Sequence, residues 1–141
     1  MGDEAPGGEA VRPIRVLLIE DHRLVRAALR LLLEREPDLA VCGEAADGEA
    51  GLRLLAYLAR EGLVDVVVID SGLAGLDGLE VARRAKALAP ALPVVLLTTH
   101  DGDGDLRALE AVGAASYVRK QDIGRDLCAA IRAVVRSDPA R

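Results

Sequence analysis

The stretch VVVIDSGLAGLDG, Val66 to Gly78, decides the fold. Four consecutive apolar residues, Val66 to Ile69, run straight into the carboxylate of Asp70, and three glycines follow. An unbroken aliphatic run is expected of a strand covered on both faces, because a half-exposed strand alternates apolar and polar residues. The pattern recurs at Ile14–Ile19, which ends at Glu20-Asp21, and at Pro93–Thr98, with shorter strands read at Leu39–Cys42 and Ala115–Val118. Between the strands lie helical patterns. Leu24, Val25, Ala28, Leu29, Leu32 and Leu33 recur at helical spacing until Pro37, and Asp47 is placed to cap a helix over Glu49–Arg60. Further helices are read at Leu79–Leu88, near Asp105–Ala111 and over Ile123–Arg136. Strand and helix alternate five times, which predicts an α/β fold: a five-stranded, doubly wound parallel (βα)5 sheet with helices on both faces.

Composition agrees with one such domain. The 141 residues are 51 % hydrophobic, enough for one compact core and too short for a second. With two Tyr, no Phe and no Trp, aliphatic side chains must fill the interior. Eighteen basic against twenty-three acidic residues give a net charge of −5, and the basic residues are scattered. Nucleic acid is therefore not expected as a direct partner of this segment. Cys42 and Cys128 stand apart with no metal-ligand spacing and are expected to be buried free thiols in a reducing cytoplasm. The opening MGDEAPGGEA lacks the features of a signal peptide, and no apolar run approaches the ~18 residues of a membrane span. Met1 to Arg12 is expected to be a flexible tail, residues 13–136 the folded domain, and residues 137–141 a tail or the start of a linker.

In open parallel sheets the chemistry gathers beyond the carboxyl ends of the strands. The residues there are Glu20-Asp21, Asp70, Thr98 with Thr99, and Arg119-Lys120. Singly, each has a structural explanation: a helix cap, a turn, a strand residue, a solvated charge. Together they place three carboxylates, a hydroxyl and an ammonium at one edge. Crowded carboxylates repel, which raises their pKa or recruits a cation, and hard oxygen ligands select Mg²⁺. A carboxylate can also accept a phosphoryl group, and that transfer needs mainly positioning and neutralisation of charge.

These motifs carry a resemblance. Glu20-Asp21 after the first strand, VVVIDSGLAGLDG around Asp70, VVLLTTHD around Thr98 and GAASYVRK ending at Lys120 resemble the receiver domain of bacterial two-component response regulators, in order and spacing, over about Ile14–Arg136. PDLAVCGEAADGEAGL further resembles the subfamily that usually carries a LuxR-type helix-turn-helix output domain. The resemblance implies a flavodoxin-like fold with Asp70 as phosphoacceptor and, through its carboxylate, a Mg²⁺ ligand. It makes Asp21 a direct Mg²⁺ ligand, Glu20 a water-mediated one, and Gly72 a ligand through its backbone carbonyl. Thr98 and Lys120 are implied to bind phosphoryl oxygens, and Tyr117 to be a switch aromatic whose ring moves inward with Thr98. The implied partner is a sensor histidine kinase, with a possible homodimer, and with DNA reached only through an output domain absent from this chain.

The sequence departs from the family pattern in two places. Ala74 stands where proline is usual, which removes a fixed φ from the loop, and Gln121 follows Lys120 where many relatives have proline. By the same resemblance Gly72 and His100 hold positions from which side chains influence hydrolysis of the phosphate, and Gly72 can neither block nor guide the attacking water. Rival motifs fail. Gly72, Gly75 and Gly78 are not spaced as in a dinucleotide-binding turn. Asp101, Asp103 and Asp105 imitate a calcium loop, but Leu106 and Val112 stand where its glycine and glutamate belong. A haloacid-dehalogenase phosphatase would need a second aspartate where Gly72 sits. DGDGD is instead read as a mobile loop with a helix cap at Asp103 or Asp105. The expected function is a regulatory phosphoacceptor, catalysing only its own phosphorylation and dephosphorylation. The alternative is a stand-alone receiver acting through protein contacts, or a receiver fold that binds partners independently of phosphate. "RSDPAR" reads as the start of a linker, so the chain is expected to be the regulatory fragment of a longer transcription regulator.

Overall fold

The computed structural model describes residues 12–99, 107–108 and 110–137. Among these, five strands form one parallel sheet: β1 (Ile14–Ile19), β2 (Leu39–Ala45), β3 (Val66–Asp70), β4 (Val94–Thr98) and β5 (Ser116–Arg119). Their order is β2-β1-β3-β4-β5. Helices α1 (Arg23–Glu34), α2 (Gly48–Arg60), α3 (Gly78–Leu88) and α4 (Ile123–Arg136) complete the frame, and a 3-10 turn, Lys120–Asp122, joins β5 to α4. Residues 107, 108, 110 and 111 are also helical. The rest of the helix expected near Asp105–Ala111 lies outside the described residues, as do His100, the DGDGD segment, Met1 to Val11 and residues 138–141.

The unbroken aliphatic strands are explained by two cores, one on each face. Successive side chains of a strand point to opposite faces, so Leu17, Ile19, Val67, Ile69, Val94 and Leu96 pack with α2 and α3 residues such as Leu55 and Val81. Their neighbours Val16, Leu18, Val66, Val68, Val95 and Leu97 pack with Leu29 and Leu33 of α1 and Leu127 and Ile131 of α4. Each central strand thus serves both cores.

Local signals account for much of the rest. Asp47 caps α2, its carboxylate accepting from the Ala50 amide at 2.8 Å. At the amino end of the sheet, buried Asp65 accepts from the Arg15 amide and from its Nε at 2.8 and 3.0 Å, tying β1 to the entry of β3. Arg132 of α4 pairs with Asp38 and Glu36 at 2.8 and 2.7 Å, and it holds the Asp38 carboxyl below its ordinary value.

Several boundaries differ from expectation; α2 and α3 each begin one residue early, at Gly48 and Gly78, and β3 takes in Asp70. β2 continues past Cys42 to Ala45 because Gly43, Glu44 and Ala45 pair with Leu17, Leu18 and Ile19 after a bulge between Val16 and Leu17. β4 begins at Val94 rather than Pro93, although the Pro93 carbonyl still accepts from the Val67 amide. β5 is displaced by one residue to Ser116–Arg119. Cys42 and Cys128 are free but half-buried rather than fully buried, and partial burial raises both thiols above their ordinary pKa. No helix among the described residues is long and apolar enough to cross a membrane.

Candidate functional site

The strand order reverses between β1 and β3, with β2 flanking one and β4 the other, so a crevice opens beyond their carboxyl ends. Glu20 and Asp21 leave β1 on one side of it, and Asp70 is the last residue of β3 on the other. One oxygen from each of the three carboxylates lies within 4.8 Å of the others. Lys120 opens the 3-10 turn after β5 and reaches across β4 to Asp70, with Nζ 2.8 Å from Oδ1. Thr98 ends β4 between them and is buried. The five positions picked out at strand ends, scattered over a hundred residues of sequence, therefore converge on one edge of the sheet.

The remaining expected residues lie around this cluster. Gly72 meets Asp70 through its amide, which donates to Oδ1 at 2.9 Å. Tyr117 pairs with Leu96 in the β4–β5 register and is 40 % exposed, so its ring faces solvent. Oδ1 of Asp70 is held by two donors, an amide and an ammonium, which fixes the carboxylate in place.

Glu20 is the electrostatically strained member. It is buried, its Oε2 accepts from the His22 amide at 3.0 Å, and its Oε1 is buried with no hydrogen-bond partner. Burial above all, with the charge of Asp70 beside it, pushes the carboxyl up to about 7, against the pull of the His22 amide and Lys120. An orphaned buried carboxylate oxygen, beside two further carboxylates, is a donor set that fits a hard divalent cation such as Mg²⁺. Because the folded chain holds this proton more tightly than the unfolded one, the stability it lends is full below about pH 4.5 and is lost as pH rises through about 7. The loss is on the order of 3 kcal/mol. In chelator-treated protein the urea midpoint is expected to fall between pH 5 and pH 8, and Glu20→Gln is expected to flatten that slope; an equal slope in the variant would assign it to other groups.

Three supporting groups were not legible as such in the sequence. Arg26, one turn into α1, donates to the Glu20 carbonyl at 2.8 Å and to Glu44 Oε1 at 3.2 Å, which fixes the exit of β1. The Ala74 amide donates to Asp21 Oδ2 at 3.0 Å. Asp77 caps α3, accepting from the Leu79 and Glu80 amides at 2.9 and 3.1 Å. The D-x-x-E spacing of Asp77 and Glu80 was the available signal for that cap.

A doubly wound parallel sheet with three clustered carboxylates, a buried threonine and a lysine gathered at its switch point is the arrangement the resemblance implied. The sequence profile of the response regulator receiver domain matches residues 16–132, and the chain belongs to that family. It is 39 % identical over 127 residues to the transcriptional regulatory protein LiaR of Bacillus subtilis, covering 89 % of this chain and 58 % of LiaR. It is 44 % identical over 121 residues to the transcriptional regulatory protein AfsQ1 of Streptomyces coelicolor, covering 86 % and 51 %. The response regulator UvrY of Escherichia coli is 35 % identical over 86 % of this chain and 54 % of its own length. The chain thus spans little more than half the length of these curated relatives. Among solved structures, a LuxR-family two-component response regulator from Aurantimonas sp. SI85-9A1 superposes with a TM-score of 0.80 at 33 % identity, covering 91 % of each chain. The response regulator domain of Thermotoga maritima CheB superposes with a TM-score of 0.77 at 25 % identity, covering 91 % of this chain and all of that one.

Proposed function

We propose that this receiver domain is a Mg²⁺-dependent phosphoacceptor switch in which Asp70 takes a phosphoryl group from a phosphohistidine of a sensor histidine kinase. The observation that carries the reading is the contact of Lys120 Nζ with Asp70 Oδ1 at 2.8 Å, made beside two further carboxylates. A carboxylate oxygen of Asp70 attacks phosphorus while the bond to the donor imidazole nitrogen breaks, and that nitrogen leaves with the bonding pair and takes up a proton. Lys120 and Thr98 then bind the phosphoryl oxygens. Asp21 directly, Glu20 through water, the Asp70 carboxylate and the Gly72 carbonyl would hold Mg²⁺, which would supply neutralisation of charge on the oxygens being transferred. The domain catalyses its own phosphorylation and dephosphorylation and is not otherwise an enzyme.

Drawing Thr98 and Lys120 toward the phosphoryl group vacates space beside β5, into which the exposed ring of Tyr117 turns. Phosphorylation acts as a population shift, since the active arrangement offers the phosphoryl group better contacts. The surface that changes serves partner binding or homodimer formation. By likeness to the transcriptional regulatory protein LiaR and to the LuxR-family regulator of known structure, residues 13–136 act in the cytoplasm as the regulatory part of a transcription regulator, which reaches DNA through a helix-turn-helix output domain.

A beryllofluoride titration followed by backbone NMR tests this. Mg²⁺-dependent shifts at Thr98, Tyr117 and Lys120 are expected in the wild type. In Lys120→Ala, Mg²⁺ affinity is expected to stay within about threefold, since the ammonium is not a ligand, while the response at Tyr117 is lost. Full retention of that response would remove Lys120 from the switch. No Mg²⁺-dependent response in the wild type would favour a phosphate-independent interaction module.

A further inference from the structure

The loop between β3 and α3 grips both sides of the crevice through alternate backbone amides. The Gly72 amide donates to Asp70 Oδ1 at 2.9 Å, and two residues on the Ala74 amide donates to Asp21 Oδ2 at 3.0 Å, a contact that spans 53 residues of chain. The far end of the loop is also fixed, by the Asp77 cap and by the packing of Gly78 against the Asp70 backbone. Asp21 is therefore held by the same segment that carries the Gly72 carbonyl, so the order of the loop and the orientation of this carboxylate are one variable.

We infer that the backbone amide of Ala74 is a positioning group that engages one oxygen of Asp21, makes this carboxylate a one-oxygen ligand, and thereby biases the cation site toward Mg²⁺ and against Ca²⁺. The inference rests on the cation site proposed above. Ca²⁺ takes six to eight oxygens and readily accepts both oxygens of a carboxylate, whereas Mg²⁺ is octahedral and takes carboxylates one oxygen at a time. An oxygen already accepting a charge-assisted hydrogen bond is disfavoured for chelation, and the bond fixes the plane in which the other oxygen is presented. The device depends on residue 74 having an N–H, which any residue except proline supplies.

The test compares Ala74→Pro, which deletes the donor, with Ala74→Gly, which keeps it and loosens the backbone. Unphosphorylated protein is titrated calorimetrically with Mg²⁺ alone and with Ca²⁺ alone. The wild type and Ala74→Gly are expected to prefer Mg²⁺ alike, and Ala74→Pro is expected to lose about tenfold of that preference, the usual worth of a hydrogen bond to a charged group. An unchanged ratio in Ala74→Pro overturns the inference, as does an equal loss in Ala74→Gly. A second arm needs no cation and no folded proline variant: hydrogen exchange at the Ala74 amide in chelated protein is expected to be about tenfold faster in Asp21→Ala than in the wild type. Equal exchange overturns the amide's hold on Asp21. If the wild type binds neither cation, the cation site itself falls, and that failure is distinguished by an Ala74 amide that still responds to Asp21→Ala.

Discussion

A small phosphodonor such as acetyl phosphate, supplied with Mg²⁺, is expected to add one phosphoryl group to the wild-type chain and none to Asp70→Asn. The substitution keeps the shape of the side chain and removes its nucleophile, because an amide's electron pairs are delocalised and its charge is zero. The neighbouring carboxylates cannot substitute. Glu20 is buried with a carboxyl pushed up to about 7, and one oxygen of Asp21 is engaged by the Ala74 amide. Intact-protein mass spectrometry reads the result directly, and an Asp70→Asn chain labelled like the wild type would end the assignment of Asp70. The same variant removes the second-largest influence raising Glu20, the charge of Asp70, so the Glu20 carboxyl is expected to titrate lower in it.

The second large effect is expected at Gly78. A Cβ there would lie 2.1 Å from the Asp70 carbonyl oxygen, 2.4 Å from the Ser71 Cα and 2.8 Å from the Asp70 carbonyl carbon. All three are backbone atoms, so nothing can rotate away; α3 or the end of β3 must shift. Gly78→Ala is expected to destabilise the fold by about 3 kcal/mol, toward the upper end of overpacking costs, and to slow phosphorylation because the shift moves the residue that bears the acceptor carboxylate. The other glycines of the stretch provide the contrast. Gly75 has φ +77 with open space around it, so Gly75→Ala costs only backbone strain, about 1 kcal/mol. A Cβ at Gly72 would stand 3.6 Å from Asp70 Oδ1, an ordinary contact, and Gly72→Ala is expected to fold as well as the wild type. Urea denaturation of the three variants gives the order; a Gly78→Ala chain as stable as Gly72→Ala would refute the packing argument.

The range of the forces involved divides the features written in local sequence from those set only by folding. The central strands were legible because both of their faces are buried, which leaves an unbroken aliphatic run as the signature. β2 was cut short at Cys42 because its last residues, Gly43 and Glu44, are a poor strand former and a charge. Pairing with β1 holds them in the sheet, and Arg26 and Arg30 of α1 answer the Glu44 carboxylate. Hydrophobic pattern carries no trace of a partner strand or of an arginine eighteen residues away. Both Asp47 and Asp77 are local caps, but Asp77 stands in a glycine-rich stretch whose composition signals a loop more strongly than the helix it introduces.

By itself the sequence determined the alternation of five strands with helices and, through residue type at strand ends, which polar side chains stand at the carboxyl edge of the sheet: Glu20, Asp21, Asp70, Thr98 and Lys120. Those choices are local, set by hydrophobic periodicity and by where an aliphatic run meets a charge. Only the tertiary structure decided that the strand order reverses between β1 and β3, bringing the three carboxylates within 4.8 Å of one another and Lys120 within 2.8 Å of Asp70. It also decided the meaning of the glycines in VVVIDSGLAGLDG. One lends an amide to Asp70, one turns the chain at positive φ, and one lets a helix lie against the backbone of Asp70. Contacts of this kind join atoms brought together by folding, and the order of residues along a chain does not contain the distances across it.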